Sequence, residues 1–264
     1  MTALLNEAPP GPRQFAIGAC LGTSLRIYGR NLIPFAALGF ILHLPVLLLT
    51  YYTAIHAADI TIGSHSYYLN LFYASALNLV VSSLVSASVI YGSFQDLRGS
   101  RAGIGDCIVR GLSSAFPVII ASILATMTIS VASLLFVVPG IVVYLTIWVY
   151  IPAIVVEGEG IANSFSRSSA LTSGRRWHIL GLTLIILVGG LIFGAVLGGL
   201  IGLVVGLTVG SSGAFATTLA TLAAQYVVRS LVSVFGAITT AVGYYLLRAE
   251  KEGVEIDEIA KVFD

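Results

Sequence analysis

Six stretches of this chain each run for roughly 18 or more residues with scarcely a charge, and that feature constrains the fold more than any motif in it. A backbone inside hydrocarbon finds no water to bond, so such a segment satisfies its own amides as a helix or belongs to a closed barrel. The even alternation of apolar and polar residues that marks a barrel is absent. The expected fold is therefore all-α, a polytopic membrane bundle of six transmembrane helices. They are placed at residues 32–55, 67–94, 115–137, 140–156, 178–206 and 217–247. Hydrophobic residues make up 57% of the chain and charged ones 9%, against about 45–50% and 25% in soluble domains. A disordered chain is excluded and a soluble globule is opposed. The net charge of +1 gives no reason to expect a nucleic-acid partner.

Charge distribution says more than its sum. Twelve of the 13 Lys and Arg residues fall in alternate connections: Arg13, Arg26 and Arg30 before span 1, Arg98, Arg101 and Arg110 after span 2, Arg167, Arg175 and Arg176 after span 4, and Arg248, Lys251 and Lys261 after span 6. The connections near 56–66, 138–139 and 207–216 contain none. By the positive-inside rule both termini are expected in the cytoplasm of a cell that holds the chain in its inner membrane. Residues 1–12 read as a flexible tail, 13–247 as the membrane domain and 248–264 as a second, cytoplasmic tail. The start lacks a basic region followed by a short apolar run, so no cleaved signal peptide is expected. Cys20 and Cys107 have neither metal-ligand spacing nor the look of a disulfide framework.

Each basic segment also carries apolar residues at helical spacing: Ile17, Leu21, Leu25 and Tyr28, then Ile104, Ile108 and Leu112, then Ile161, Phe165 and Leu171. These read as amphipathic helices in the membrane interface, apolar face inward and arginines among the headgroups. The plan is three units of surface helix plus hairpin, with "IGAC" at 17–20 and "IGDC" at 104–107 in equivalent places. Between spans 3 and 4 the tight turn is expected at Pro139-Gly140. One continuous element over 115–156 would reach about 60 Å, double the hydrocarbon thickness, so two crossings are preferred.

The run "VPGIVVYLTIWVYIPAIVVEGEGIANSFSRSSALTSGRRW", Val138 to Trp177, resembles bacterial six-helix proteins related to the glycerophosphoryl diester phosphodiesterase membrane domain and the YciC-like inner-membrane proteins. The matching positions are Pro139, Gly140, Pro152, Glu157, Gly158, Arg167, Ser168, Leu171 and Gly174. "YYLLRAEKEGVEIDEIA", Tyr244 to Ala260, is similar to the end of the last span in that family. The resemblance implies architecture. The phosphodiesterase activity belongs to a fused soluble domain that has no counterpart here, and its His pair with metal-binding carboxylates is missing. His43, His56, His65 and His178 are scattered, and no catalytic residue, metal or cofactor is expected.

Several features carry two readings. Gly190, Gly194, Gly198, Gly202 and Gly206, continued by Gly210, form a row along span 5 that either packs within the monomer or seals a homo-oligomer. If the row packs tightly, leucine at 198 overpacks it. Arg229 is the one charged residue well inside a span, and Thr221, Gln225 and Ser233 share its face. It either snorkels to the outer interface or meets an anionic lipid or substrate. Ser75, Asn78, Ser82 and Ser86 on span 2, with Ser122, Thr126, Ser130 and Ser133 on span 3, are interhelical glue or the lining of a polar cavity. His43 beside Pro45 is a packed histidine at a kink or a proton relay. His56, Asp59 and His65 are a weak metal constellation. Arg167, Arg175 and Arg176, with Ser164, Ser166, Ser168 and Ser169, suit phosphate oxygens, or merely set topology. Glu157 is placed to hold Arg167.

The leading reading is a non-enzymatic membrane protein that binds lipid headgroups or scaffolds an assembly. Its partners are then membrane lipids, a second copy through span 5, or another membrane protein. The rival is a subunit of a lipid or small-molecule transporter, and a membrane-embedded lipid enzyme has least support. A hydrated cavity reaching Arg229 separates transport from a filled, dry scaffold.

Overall fold

The computed structural model describes residues 15–56, 61–100, 102–209 and 214–253. Among them there is no strand. The helices are α1 (Ile17–Arg30), α2 (Leu32–Ile55), α3 (His65–Leu97), α4 (Ile104–Ser113), α5 (Ala115–Leu135), α6 (Val137–Thr146), α7 (Tyr150–Glu157), α8 (Ile161–Thr172), α9 (Arg176–Val209) and α10 (Ala214–Glu252). Six segments are long and apolar enough to cross a membrane: α2, α3, α5, α6 with α7, α9 and α10. The chain is a multi-pass helical membrane bundle. The last span continues as helix through Glu252, past the tail boundary expected at 248.

Proline sets most of the helix boundaries. Pro34, Pro117, Pro139 and Pro152 each stand third in their helix, after the caps Asn31, Ser114, Phe136 and Val149. In the first turn a missing N–H has no intrahelical acceptor to lose, but the ring still clashes with the carbonyl four residues back. Those carbonyls belong to Arg30, Ser113, Leu135 and Trp148. The preceding helices end at the first three of these, and the fourth lies in the break of span 4. The turn between spans 3 and 4 is thus not at Pro139-Gly140. It is at Phe136, where φ is −158° and ψ 150°, and Pro139 acts upstream of itself. Gly140 serves close approach instead: a Cβ there would meet the Ser133 Cα at 3.0 Å and its Oγ at 1.9 Å. Pro45 alone among the described prolines lies in a helix interior.

α10 is the hub, packed on α9, α3, α2, α1, α8 and α7. Of its most apolar 18-residue window 67% is buried, whereas for α9 the share is 0%. The core formed by Val234, Ile238, Val242, Tyr244 and Leu247 lies in the basic half of α10. α2 comes so close to α10 at Gly39 that a Cβ would touch Val234 at 2.8 Å and the Ser230 carbonyl at 3.2 Å.

The three surface helices are present, with packed faces rotated from those expected. Leu25 and Leu112 are exposed, while Cys20, Ser24 and Ile27 in α1, and Cys107 and Gly111 in α4, are buried. α1, α4 and α8 all open with isoleucine and bury their fourth residue, Cys20, Cys107 or Ser164. Burial pushes the Cys20 thiol up to about 12, against a weaker opposing hydrogen bond from Ser24. It pushes the Cys107 thiol up to about 11, with Asp106 adding to the effect.

In α8 the inward face is hydroxylic as well as apolar, because it repairs the break of span 4. Ser168 Oγ donates to the Thr146 carbonyl at 3.0 Å and accepts from the Val149 amide at 3.1 Å, and Thr172 Oγ1 lies 3.2 Å from the same carbonyl. Backbone groups freed within the bundle thereby regain partners.

Candidate functional site

The features read separately as a glycine row and a polar stripe meet across one groove. α9 and α10 border an open groove of about 1040 Å³, walled on one side by Gly190, Gly194, Gly198 and Gly202 and on the other by Thr221, Gln225, Arg229 and Ser233. Four-residue spacing puts each set on one helix face, with about 6 Å between successive members. Glycine matters here for what it leaves open. A Cβ at Gly190 would meet Val232 at 3.3 Å and one at Gly194 would meet Val228 at 3.5 Å, but Gly198, Gly202 and Gly206 have nothing within 4 Å. The row therefore packs against α10 only at its basic end. The tight packing on which overpacking by leucine at 198 depends is absent there within the monomer, where a Cβ has open space. Gly206 does not line the cavity, and Gly210 lies outside the described residues.

Arg229 and Gln225 are exposed to this space. No carboxylate pairs with Arg229 among the described residues. It stands 12 residues, about 18 Å, from Thr217 at the far end of the groove, and 19 residues, about 28 Å, from Arg248. That is well inside the membrane span, where an unaccompanied guanidinium is costly.

Groove and bundle interior are neighbours across three shared residues. Thr183, Ile186 and Ser233 also border a second chamber of about 400 Å³, which reaches α3, α5 and span 4. Ser82, Ser86 and Thr126 line it, as the cavity reading of the serine stripes expects. Ser122 is committed elsewhere: it accepts from Ser83 at 2.9 Å and shares a 2.9 Å hydrogen bond with Tyr150. Ser83 and Tyr150 were not singled out in the sequence, and nothing in their spacing marked them. Ser75 and Ser130 are exposed. Toward the basic end the chamber is closed by Trp148, whose ring would lie 2.5 Å from a Cβ at Gly243.

The basic end is a different kind of place. Arg167 grips Glu157 with Nε at 2.9 Å and Nη2 at 2.9 Å and also pairs with Glu252. Arg248 lies 3.1 Å from Glu157 and 2.9 Å from Glu252, and the Tyr244 hydroxyl donates to Glu157. These partners raise the Arg167 pKa, Glu157 first and Glu252 second. Gly158, at φ 69°, ends α7 in the left-handed conformation and turns the chain toward α8. Arg175 holds Glu250, which also accepts from the Phe15 amide at 2.7 Å, and Arg30 pairs with Asp96 at 3.0 Å. Thus Arg167 and Arg175 spend their forks on the chain's own carboxylates, and Ser164 and Ser168 are buried. Arg176 has no carboxylate partner among the described residues and lies beside the exposed Trp177. The five residues proposed for anion binding therefore fall in two places, with Arg229 and Gln225 in the groove and the other three at the basic end.

His43 is fully buried, its Nδ1 2.9 Å from the Gly39 carbonyl and its Nε2 without a partner. His56 Nδ1 lies 2.9 Å from the Tyr52 carbonyl, while Asp59 is outside the described residues. No group of three metal-binding side chains occurs among the described residues.

No curated protein and no solved structure matches this chain. A family model described as a domain of unknown function, DUF7847, matches residues 15–247, nearly the whole bundle, and the chain belongs to that family.

Proposed function

We propose that this protein is a non-enzymatic, lipid-handling membrane protein that takes the anionic headgroup of a membrane lipid into the groove between α9 and α10. The observation that carries the reading is Arg229, uncompensated by any described carboxylate and facing a cavity large enough for a ligand. Gln225 adds amide donors one turn away, and the apolar glycine wall accepts acyl chain. A headgroup site at this depth suits movement of lipid between leaflets better than a dry scaffold. The test is lipid retention in native mass spectrometry. A Cβ at Gly198 has open space on the groove side, so Gly198→Leu should hold thermal stability while co-purified anionic lipid falls severalfold. A wild-type protein that retains anionic and zwitterionic lipids equally would refute the reading. A smaller oligomer with unchanged lipid would instead assign the glycine face to a second copy.

The orientation belongs to the same proposal, with the arginine-bearing end in the cytoplasm. Positions 60 and 212, the natural probes of the opposite connections, lie outside the described residues, but Ile62 is described and exposed. Both native thiols are buried and burial raises their pKa values, so neither presents much reactive thiolate. An impermeant thiol reagent should therefore label Ile62→Cys from outside intact cells and leave Ser113→Cys unlabelled until the membrane is opened. The reverse pattern would invert the topology.

A further inference from the structure

We infer that the anionic headgroup bound at Arg229 is a phosphate carrying a neutral, hydroxylated substituent, and that this polyol enters the second chamber. The inference rests on the groove reading and deepens it. Ser233 borders both cavities and lies one turn, about 6 Å along the helix, from Arg229, so the substituent of a phosphate held by the guanidinium lies beside the second chamber. Within that chamber the polar groups are hydroxyls, with Trp148 among them, and no Asp, Glu, Lys, Arg or His lines the space. A charged substituent such as an ammonium would lose water there and gain no counter-charge.

The direction of the hydrogen bonds narrows the class further. Thr240 Oγ1 has given its proton to the Gly236 carbonyl at 2.9 Å, and Ser82 Oγ has given its proton to Asn78 Oδ1 at 3.2 Å. Each keeps lone pairs and no free donor. These two hydroxyls accept from ligand O–H groups, while the Thr183 Oγ1, buried without a partner among the described residues, is left to donate to a ligand oxygen. The chamber is small and ends at Trp148 on Gly243, so it suits a short polyol of the size of glycerol better than a long chain.

The experiment is a competition in native mass spectrometry. Purified protein receives equimolar phosphatidylglycerol, phosphatidic acid and phosphatidylserine with identical acyl chains. The expected result is about tenfold more phosphatidylglycerol retained than either rival. In Ser86→Ala/Thr126→Val, with thermal stability unchanged, that preference should fall to parity while total anionic lipid stays constant. Equal retention of the three lipids by the wild type, or an unchanged preference in the variant, overturns the polyol inference and leaves Arg229 as a plain anion site. Loss of preference for any anionic lipid over a zwitterionic one overturns the groove reading itself. Free glycerol phosphate separates the two sources of this chemistry. Displacement of bound phosphatidylglycerol at equal concentration assigns the chamber to a soluble polyol phosphate, and resistance to it assigns the chamber to the lipid.

Discussion

Glu157→Ala should lower stability by about 3 kcal/mol, seen as a melting temperature in detergent some 6–12 °C below wild type. Glu157 stands at the C-terminal end of α7, where the helix dipole disfavours an anion. It is held there by Arg167 and Arg248 and by the Tyr244 hydroxyl, so its loss strands two half-buried guanidinium groups and a phenol at once. Its side chain is 11% exposed and that of Arg248 14%, which separates this cluster from surface pairs worth well under 1 kcal/mol. Glutamine should recover part of the loss by keeping the hydrogen bonds. In an Arg167→Ala background the same substitution should cost less, because one stranded partner is already gone. A melting shift of under about 2 °C for the alanine variant would show that the cluster is ornamental.

Arg229→Gln should leave the fold intact and reduce retained anionic lipid by at least about tenfold, the cost of one charge-assisted contact. Glutamine keeps an amide donor on a shorter stem but not the charge. Lysine should restore only part of the binding, since it offers a point charge where the guanidinium offers two parallel donors. A side chain that merely snorkelled would behave otherwise: lysine would replace it fully and lipid retention would not depend on residue 229. Equal retention in wild type, Arg229→Gln and Arg229→Lys would remove Arg229 from the site.

The six spans could be read from the chain because uninterrupted apolar length is a local property, and span 1 at 32–55 coincides with α2. The interruption of span 4 was hidden for the opposite reason. Ile147, Trp148 and Val149 are as apolar as their neighbours, and the cause lies four residues on at Pro152, while the remedy lies in Ser168 and Thr172 of another helix. Pro139 misled in the same way, since a proline breaks the helix behind it and not at its own position. The pairing of Glu157 with Arg167, ten residues apart, was within reach. Arg175 with Glu250 is 75 residues apart and had no local sign, although both belong to one end of the bundle. Arg229 and the glycines were visible as oddities on separate helices. That they share a cavity depends on how α9 and α10 splay, which periodicity does not encode.

The helix on which most of the others lean follows all of them in chain order, so it leaves the ribosome after them. Five spans must therefore wait in the bilayer for their common partner, with Gly39 of α2 and Trp148 of span 4 facing lipid where α10 will later lie. Until α10 arrives, Glu157 has Arg167 but neither Arg248 nor Tyr244, and Arg175 has no Glu250. Assembly of the bundle thus waits for α10 and is sealed by residues 243–252. A chain cut short before them keeps its greasy segments and forfeits its core, which makes α10 the point at which a cell's quality control can tell an assembled bundle from an unassembled one.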